Sequence, residues 1–165
     1  MTDKEFSCLF NDWFDPLRRY VYYRCGDPDL ATDIAQETFV RVWEKQLVPN
    51  GRKATGLLYK IAGDLMISHY RKEKVRMNYR GNLIGTDLES SPEENLVFKE
   101  LLEQYNQLLV RMPEKQRTVF LLSRVDNLTY DDIASRLGIG VKAVEKRMSL
   151  ALKLVRKELG EYGKH

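Results

Sequence analysis

Apolar residues recur at helical spacing along nearly the whole chain. In residues 29–45 the apolar residues follow helical spacing, so a helix would place them on one face: Leu30, Ile34, Ala35, Phe39, Val42 and Trp43. Residues 57–76 repeat the pattern, and the inward positions expected there are Leu58, Ile61, Leu65 and Ile67. Because the spacing is helical throughout, the sequence predicts an all-α fold.

Capping residues mark where the predicted helices begin. Thr2 and Glu5 form a capping box before the first apolar stripe. Asp15–Pro16 and Asp27–Pro28 each place an aspartate that can cap before a proline that suits a first helical turn. We therefore expect a new helix from Leu17 to about Arg24 and another from about Asp29 to Lys45.

Two stretches interrupt the helical pattern. Residues 47–56 contain a proline, an asparagine and two glycines and are predicted to form a loop. Residues 81–91 combine two glycines with polar residues and are predicted to form a flexible linker. Ser91–Pro92 and Pro113 then signal two further helices, ending near Arg111 and Val125. The predicted organisation is two small helical domains, residues 1–80 and 92–165, joined by the linker.

Residues 128–154 predict two helices joined by a tight turn. Thr129 can cap the first helix, with Asp132 three residues later, and Gly138 stands where that helix should stop in a left-handed conformation. The second helix is basic and has an apolar stripe formed by Val141, Val144 and Met148. This pattern is typical of a helix-turn-helix, whose second helix enters the DNA major groove. An ordinary helical hairpin is the alternative.

The charges fall in blocks that the overall net charge of +3 conceals. Residues 52–80 have a net charge of +6 and residues 115–165 of +5, whereas residues 1–51 have −3 and residues 81–114 have −5. Two basic blocks separated by an acidic one indicate two contacts with a polyanion. Solvated helix faces would be the alternative explanation.

Several classes of protein are disfavoured by the sequence. No apolar run approaches the ~20 residues of a membrane helix, and the N-terminus does not resemble a signal peptide, so we expect no membrane insertion. Cys8 and Cys25 fit reduced thiols of a cytoplasmic protein. No residues have metal-ligand spacing and no glycine-rich loop has a phosphate-binding pattern. We therefore expect a protein that is not an enzyme, with no catalytic residues, metal or cofactor.

The outer face predicted for the helix over residues 57–76 mixes aromatic rings with cations. The residues of this mixture are Tyr59, Lys60, His69, Tyr70, Arg71, Lys72, Lys74, Arg76 and, just beyond, Tyr79. Rings stack on unpaired bases while cations follow phosphates, so the combination suits single-stranded DNA. Cations alone would suit the duplex backbone equally well, and half-buried tyrosines are the simpler alternative.

These segments together resemble a bacterial family. Asp27–Trp43, which reads DPDLATDIAQETFVRVW, resembles the core-polymerase-binding helix of the extracytoplasmic-function (ECF) group of sigma-70 factors. Leu57–Lys72 is similar to the segment that melts and reads the minus-ten promoter element. Met112–Leu122 and the helix-turn-helix resemble region four, which reads the minus-thirty-five element. The resemblance covers about residues 3–160. Within it, residues 141–146, VKAVEK, resemble iron-uptake-type members of the group, which are paired with membrane-linked anti-sigma proteins.

The resemblance implies roles for the matched positions. Docking on the clamp of the largest polymerase subunit would involve Asp29, Asp33, Gln36, Glu37, Phe39 and Arg41, with Trp43 either docking or core. Minus-ten contacts would come from Asn50, Arg52, Lys53, Lys60, Asp64, His69, Tyr70, Arg71 and Lys72. Minus-thirty-five contacts would come from Thr129, Lys142, Glu145, Lys146, Arg147, Ser149 and Lys153.

The chain departs from the family pattern at four positions. These departures concern which promoter sequence the chain recognises and not its general role. Asp64 stands where the family often has Asn, and Ser68 where it often has Asp, while Glu145 and Leu150 stand where cations are common. The resemblance implies core RNA polymerase, promoter DNA and an anti-sigma factor as partners. The alternatives are a stand-alone helix-turn-helix regulator that binds duplex operators, and an interaction protein such as an anti-sigma-like decoy.

Overall fold

The computed structural model describes residues 1–47, 52–72 and 92–160, without the side chains of residues 52–54 and 92–95. Within these residues the chain forms seven helices and no strand: α1 (Asp3–Cys25), α2 (Pro28–Glu44), α3 (Arg52–Lys72), α4 (Pro92–Arg111), α5 (Glu114–Arg124), α6 (Tyr130–Leu137) and α7 (Val141–Leu159). The predicted all-α fold is confirmed. The predicted linker, residues 81–91, lies outside the described residues.

α1 is one continuous helix, so the predicted break at Asp15–Pro16 is wrong. A proline inside a helix costs roughly 3 kcal/mol because it removes a hydrogen bond and crowds the preceding turn. Phe10, Phe14, Leu17 and Val21 recur at spacings of three and four on both sides of Pro16, and Leu17 and Val21 are completely buried. Burying this stripe on one continuous helix offsets the cost of the proline.

The predicted helix starts at Thr2 and Asp27 are confirmed. The Thr2 hydroxyl accepts from the Glu5 N–H at 3.2 Å, and the Glu5 carboxylate accepts from the Thr2 N–H at 2.8 Å, which completes the capping box. The Asp27 carboxylate accepts from the N–H groups of Asp29 and Leu30 at the start of α2. These side chains satisfy backbone donors that the first helical turn leaves unpaired.

α3 begins at Arg52, five positions before the predicted start, so the prediction of a loop through residue 56 is wrong. Thr55 is buried, which means that the first turn already packs against the core. Leu58, Ala62 and Met66 continue this buried register at spacings of three and four. Ile67, predicted to point inward, is 46% exposed because it falls outside that register.

The helix-turn-helix has the predicted local geometry. The Thr129 hydroxyl accepts from the Asp132 N–H at 3.1 Å, and Gly138 ends α6 in a left-handed conformation with φ of 66°. Ile133, Val144 and Met148 are buried between α6, α7 and α5. The turn therefore holds α7 with one face against the domain and the other toward solvent.

The two halves of the chain pack against each other. α5 contacts α1, and α6 contacts α3. One cluster of buried apolar side chains runs through α1, α2 and α3 and on into α5, α6 and α7. The arrangement brings α3 of the first half and α6 of the second to a shared cleft, while the domain boundaries themselves remain a prediction.

Candidate functional site

The outer face of α2 is acidic and exposed. Asp29, Asp33, Gln36 and Glu37 are all exposed, and positions 29, 33, 36 and 37 form one stripe along the helix. Arg41 is exposed as well and lies 3.4 Å from the Glu37 carboxylate one turn earlier. An exposed pair of this kind contributes little stability, so these side chains are available to a partner.

An apolar surface continues this stripe into the groove between α1 and α2. Val40 is 46% exposed and Trp43 is 37% exposed. The Trp43 ring packs edge-on against Phe6 with centroids 5.1 Å apart, and Asp3 and Glu44 lie at the groove's margin. The sequence reasoning missed Val40, although its position four residues after Gln36 places an apolar side chain on a polar face.

Phe39 belongs to the core beneath this surface. It is only 2% exposed, and its ring lies 5.1 Å from that of Phe10 and 6.2 Å from that of Phe6. Of the residues that the resemblance implies for docking, Phe39 is therefore the one whose side chain faces inward. It supports the groove by holding α1 against α2.

The candidate DNA-contacting residues of α3 divide between surface and interior. Lys60, Asp64, Arg71 and Lys72 are exposed, and His69 is half-buried. Tyr59 is buried, which contradicts its predicted place on the outer face, and burial raises its pKa. Tyr70 is half-buried, and burial raises its pKa well above the ordinary value. Asn50 and the side chains of Arg52 and Lys53 lie outside the described part of the chain.

The outer face of α7 is assembled as the helix-turn-helix pattern predicts. The exposed side chains that share this face are Lys142, Glu145, Lys146, Ser149 and Lys153. Val144 and Met148 lie on the opposite, buried face. Arg147 is half-buried and lines a cleft with Arg24 and Glu114 instead of joining the outer row. Thr129 is exposed at the start of α6, where its hydroxyl caps that helix.

The described residues bring together surfaces for binding. Among residues 1–47, 52–72 and 92–160, no group of three or more histidine, cysteine, aspartate or glutamate side chains could hold a metal ion. Within the same ranges, no helix is both long and apolar enough to cross a membrane. The candidate binding surfaces are an acidic–apolar face on α2 and exposed basic residues on α3 and α7.

Comparison with known proteins decides the family. The family model Sigma-70 region 2 matches residues 9–76, and Sigma-70, region 4 matches residues 102–155. The chain is 33% identical over 149 residues to the ferric citrate uptake sigma factor FecI of Escherichia coli (strain K12), covering 89% of this chain and 86% of FecI. It is also 30% identical over 165 residues to the ECF RNA polymerase sigma factor SigW of Bacillus subtilis (strain 168), covering 93% of this chain and 88% of SigW. The chain belongs to the ECF group of the sigma-70 family.

The family matches coincide with the two halves of this ECF sigma factor. The region 2 match spans most of α1, all of α2 and all described residues of α3. The region 4 match spans the second half of α4, all of α5 and α6, and most of α7. A solved structure of the sigma factor RpoE in complex with the anti-sigma factor NepR from Bartonella quintana shares the fold, with a TM-score of 0.61 and 19% identity, covering 95% of this chain and 98% of RpoE.

Proposed function

We propose that this ECF sigma factor binds core RNA polymerase through the α2 face, places α7 on upstream promoter DNA and uses α3 where the duplex opens. The observation that carries the proposal is the exposed acidic–apolar surface of α2, formed by Asp33, Gln36, Glu37, Val40 and Trp43. An exposed tryptophan surrounded by polar and charged side chains resembles the aromatic anchor and polar rim of a protein interface. A stand-alone operator-binding regulator is disfavoured because the family matches extend to the half that carries α2.

A charge reversal on α2 tests the docking surface. Asp33→Arg combined with Gln36→Ala should weaken binding to core polymerase at least tenfold, because interface energy concentrates in a few residues. Both side chains are exposed, so the fold should survive, which circular dichroism would confirm. A matched control is Asp12→Arg with Asn11→Ala, an equal charge change at exposed positions of α1. Equal core affinities for the two double variants would refute the α2 assignment.

The residues on the outer face of α7 are expected to make two kinds of contact with duplex DNA, to base edges and to phosphates. Base edges carry sequence information, whereas phosphates fix register. We assign base contacts to Lys142, Glu145, Lys146 and Ser149 and phosphate contact to Lys153. Glu145 is acidic, so it would accept a hydrogen bond from cytosine and repel phosphate. Removing Glu145 should therefore alter the preferred upstream element instead of uniformly lowering affinity.

The proposal extends to mode of action and partners. The protein acts by binding and catalyses no reaction itself, and it works in the cytoplasm because that is where core polymerase opens promoters. The fold shared with a sigma factor solved in complex with an anti-sigma factor supports an anti-sigma protein as a further partner. Such a partner should compete with core polymerase for this chain in a pull-down. Assignment to the iron-uptake type stays a prediction.

A further inference from the structure

One large apolar side chain lies exposed on the otherwise polar outer face of α7. Leu150 is 40% exposed. The other large apolar residues of this helix, all of which the structure describes, are buried or half-buried against the core. The apolar surface of Leu150 is therefore open to a partner, whereas the rest of the apolar stripe of α7 is used in folding.

Helical geometry places Leu150 among the basic residues of this face. Lys146 lies four positions earlier and Lys153 three positions later, and side chains at these spacings are neighbours on a helix surface. Both lysines are exposed. Val144 and Met148 hold the opposite face of α7 against α5 and α6, so Leu150 projects away from the domain. It lies between a lysine to which we assign a base contact and one to which we assign a phosphate contact.

The charge of α7 favours a polyanion as the partner of this face. The helix carries six lysines and arginines and two glutamates, a net charge of +4. Summed charge of one sign raises the local concentration of a ligand of the opposite sign. Duplex DNA supplies that opposite charge in its phosphates. Charge complementarity therefore assigns the surface around Leu150 to duplex DNA.

Duplex DNA offers a leucine side chain one distinctive apolar target. In the major groove, guanine, adenine and cytosine present hydrogen-bond donors and acceptors, whereas thymine also presents its C5-methyl group. Leucine can neither donate nor accept a hydrogen bond, and it carries no charge with which to hold a phosphate. A leucine that reaches the base edges therefore distinguishes bases by contact with the thymine methyl group.

We propose that Leu150 is a specificity-determining residue, which contacts the C5-methyl group of one thymine in the upstream promoter element. The inference rests on the proposed function, since it places the outer face of α7 in the major groove of that element. The contact differs in chemistry from the one assigned to Glu145, which accepts a hydrogen bond from cytosine. Leu150 thus adds a preference for thymine that the polar residues of α7 do not supply.

The test uses holoenzyme reconstituted from the full chain and core polymerase. Rounds of binding to a duplex library with a randomised upstream segment enrich the element that each variant prefers. Each thymine of the parent's element is then replaced in turn by uracil, which forms the same base pair but lacks the C5-methyl group. Competition binding measures the affinity of holoenzyme for each duplex.

Three variants make the test specific to the leucine side chain. Leu150→Ala removes the proposed contact, whereas Leu150→Met keeps an apolar side chain of similar volume. The matched control is Val110→Ala, because Val110 is 38% exposed and lies on α4 of the same half. All three changes are at exposed positions, so the fold should survive, which circular dichroism would confirm.

The parent and Leu150→Met should lose about fourfold in affinity when one particular thymine becomes uracil, as expected for one methyl group removed from an apolar contact. Leu150→Ala should bind the thymine and uracil duplexes equally and should no longer select thymine at that position. Val110→Ala should behave like the parent, because it leaves the outer face of α7 unchanged.

Two results of the uracil replacements would overturn the inference: no loss of affinity at any thymine, or an equal loss in the parent and in Leu150→Ala. Weaker binding of Leu150→Ala to core polymerase in a pull-down, with its DNA preference unchanged, would assign Leu150 to a protein interface and would overturn the inference as well. Failure of the proposed function would look different, because the parent holoenzyme would then enrich no upstream element at all.

Discussion

Replacing Arg117 with methionine should destabilise the whole chain, because the guanidinium is completely buried and serves both halves. Methionine roughly preserves the length of the side chain but donates no hydrogen bond. The carbonyls of Tyr23, Arg24 and Met112 would each lose a charged donor at 2.7–2.8 Å. The methionine side chain would offer these three carbonyl oxygens no hydrogen-bond donor in place of the guanidinium.

The size of the effect follows from the cost of unpaired buried groups. Each buried acceptor left unsatisfied costs about 1–3 kcal/mol. Water can reach the bond to Arg24, which is only partly buried, so the three costs do not simply add. We expect a loss of roughly 3–5 kcal/mol in the free energy of unfolding, comparable to removing one partner of a buried charge pair. For a chain of this length that corresponds to a fall in Tm of roughly 10 °C.

Urea and thermal unfolding followed by circular dichroism measure the loss. Arg117→Lys is the informative comparison, because an ammonium keeps the charge but cannot reproduce the planar fork of donors, so its loss should be intermediate. Arg111→Met is the control: Arg111 is exposed and pairs with Glu158 at 3.2 Å, so removing it should change stability by less than about 1 kcal/mol. A loss for Arg117→Met no greater than that of the control would refute the structural role assigned to Arg117.

Three further outcomes are expected. Gly138→Ala should cost about 1–2 kcal/mol of unfolding free energy, measured by urea denaturation, because φ is 66°. The cost is one of backbone conformation, since no atom of the described residues lies within 4 Å of the added Cβ. Of the two thiols, exposed Cys8 should react quickly with a maleimide at pH 8. Cys25 should react only after denaturation, since burial raises its pKa to about 11 and leaves little thiolate. In selection of DNA sites with salt titrations, Lys153→Ala should lower affinity for all sequences and reduce the salt slope by about one unit, whereas Lys146→Ala should change the preferred sequence.

Features set by neighbouring residues could be predicted from the sequence. The caps at Thr2, Asp27 and Thr129 depend on a side chain reaching an N–H two or three positions later, and the left-handed turn depends on Gly138 alone. The outer row of α7 follows from helical spacing once its buried face is known. These features need no information about the rest of the fold.

Features set by tertiary packing could not be predicted in the same way. Pro16 carries a strong start signal, but the apolar stripe on both sides of it keeps α1 continuous. Tyr59 lies among cations in the sequence, yet α6 and α1 bury it. Arg117 looks like any surface cation of a short helix, and only the approach of α1 turns it into a buried cap. No local spacing encodes which distant helix end will meet a given side chain.

Transcription in vitro tests whether this chain directs core RNA polymerase to promoters. Purified core polymerase transcribes sheared genomic DNA from the encoding organism with and without the chain, and the 5′ ends of the transcripts are sequenced. With the chain, we expect new transcripts whose starts lie at a fixed distance downstream of one shared two-part motif, and we expect their loss with Asp33→Arg and Gln36→Ala combined. If the chain directs polymerase to no promoter, the transcript starts will be identical to those of core polymerase alone.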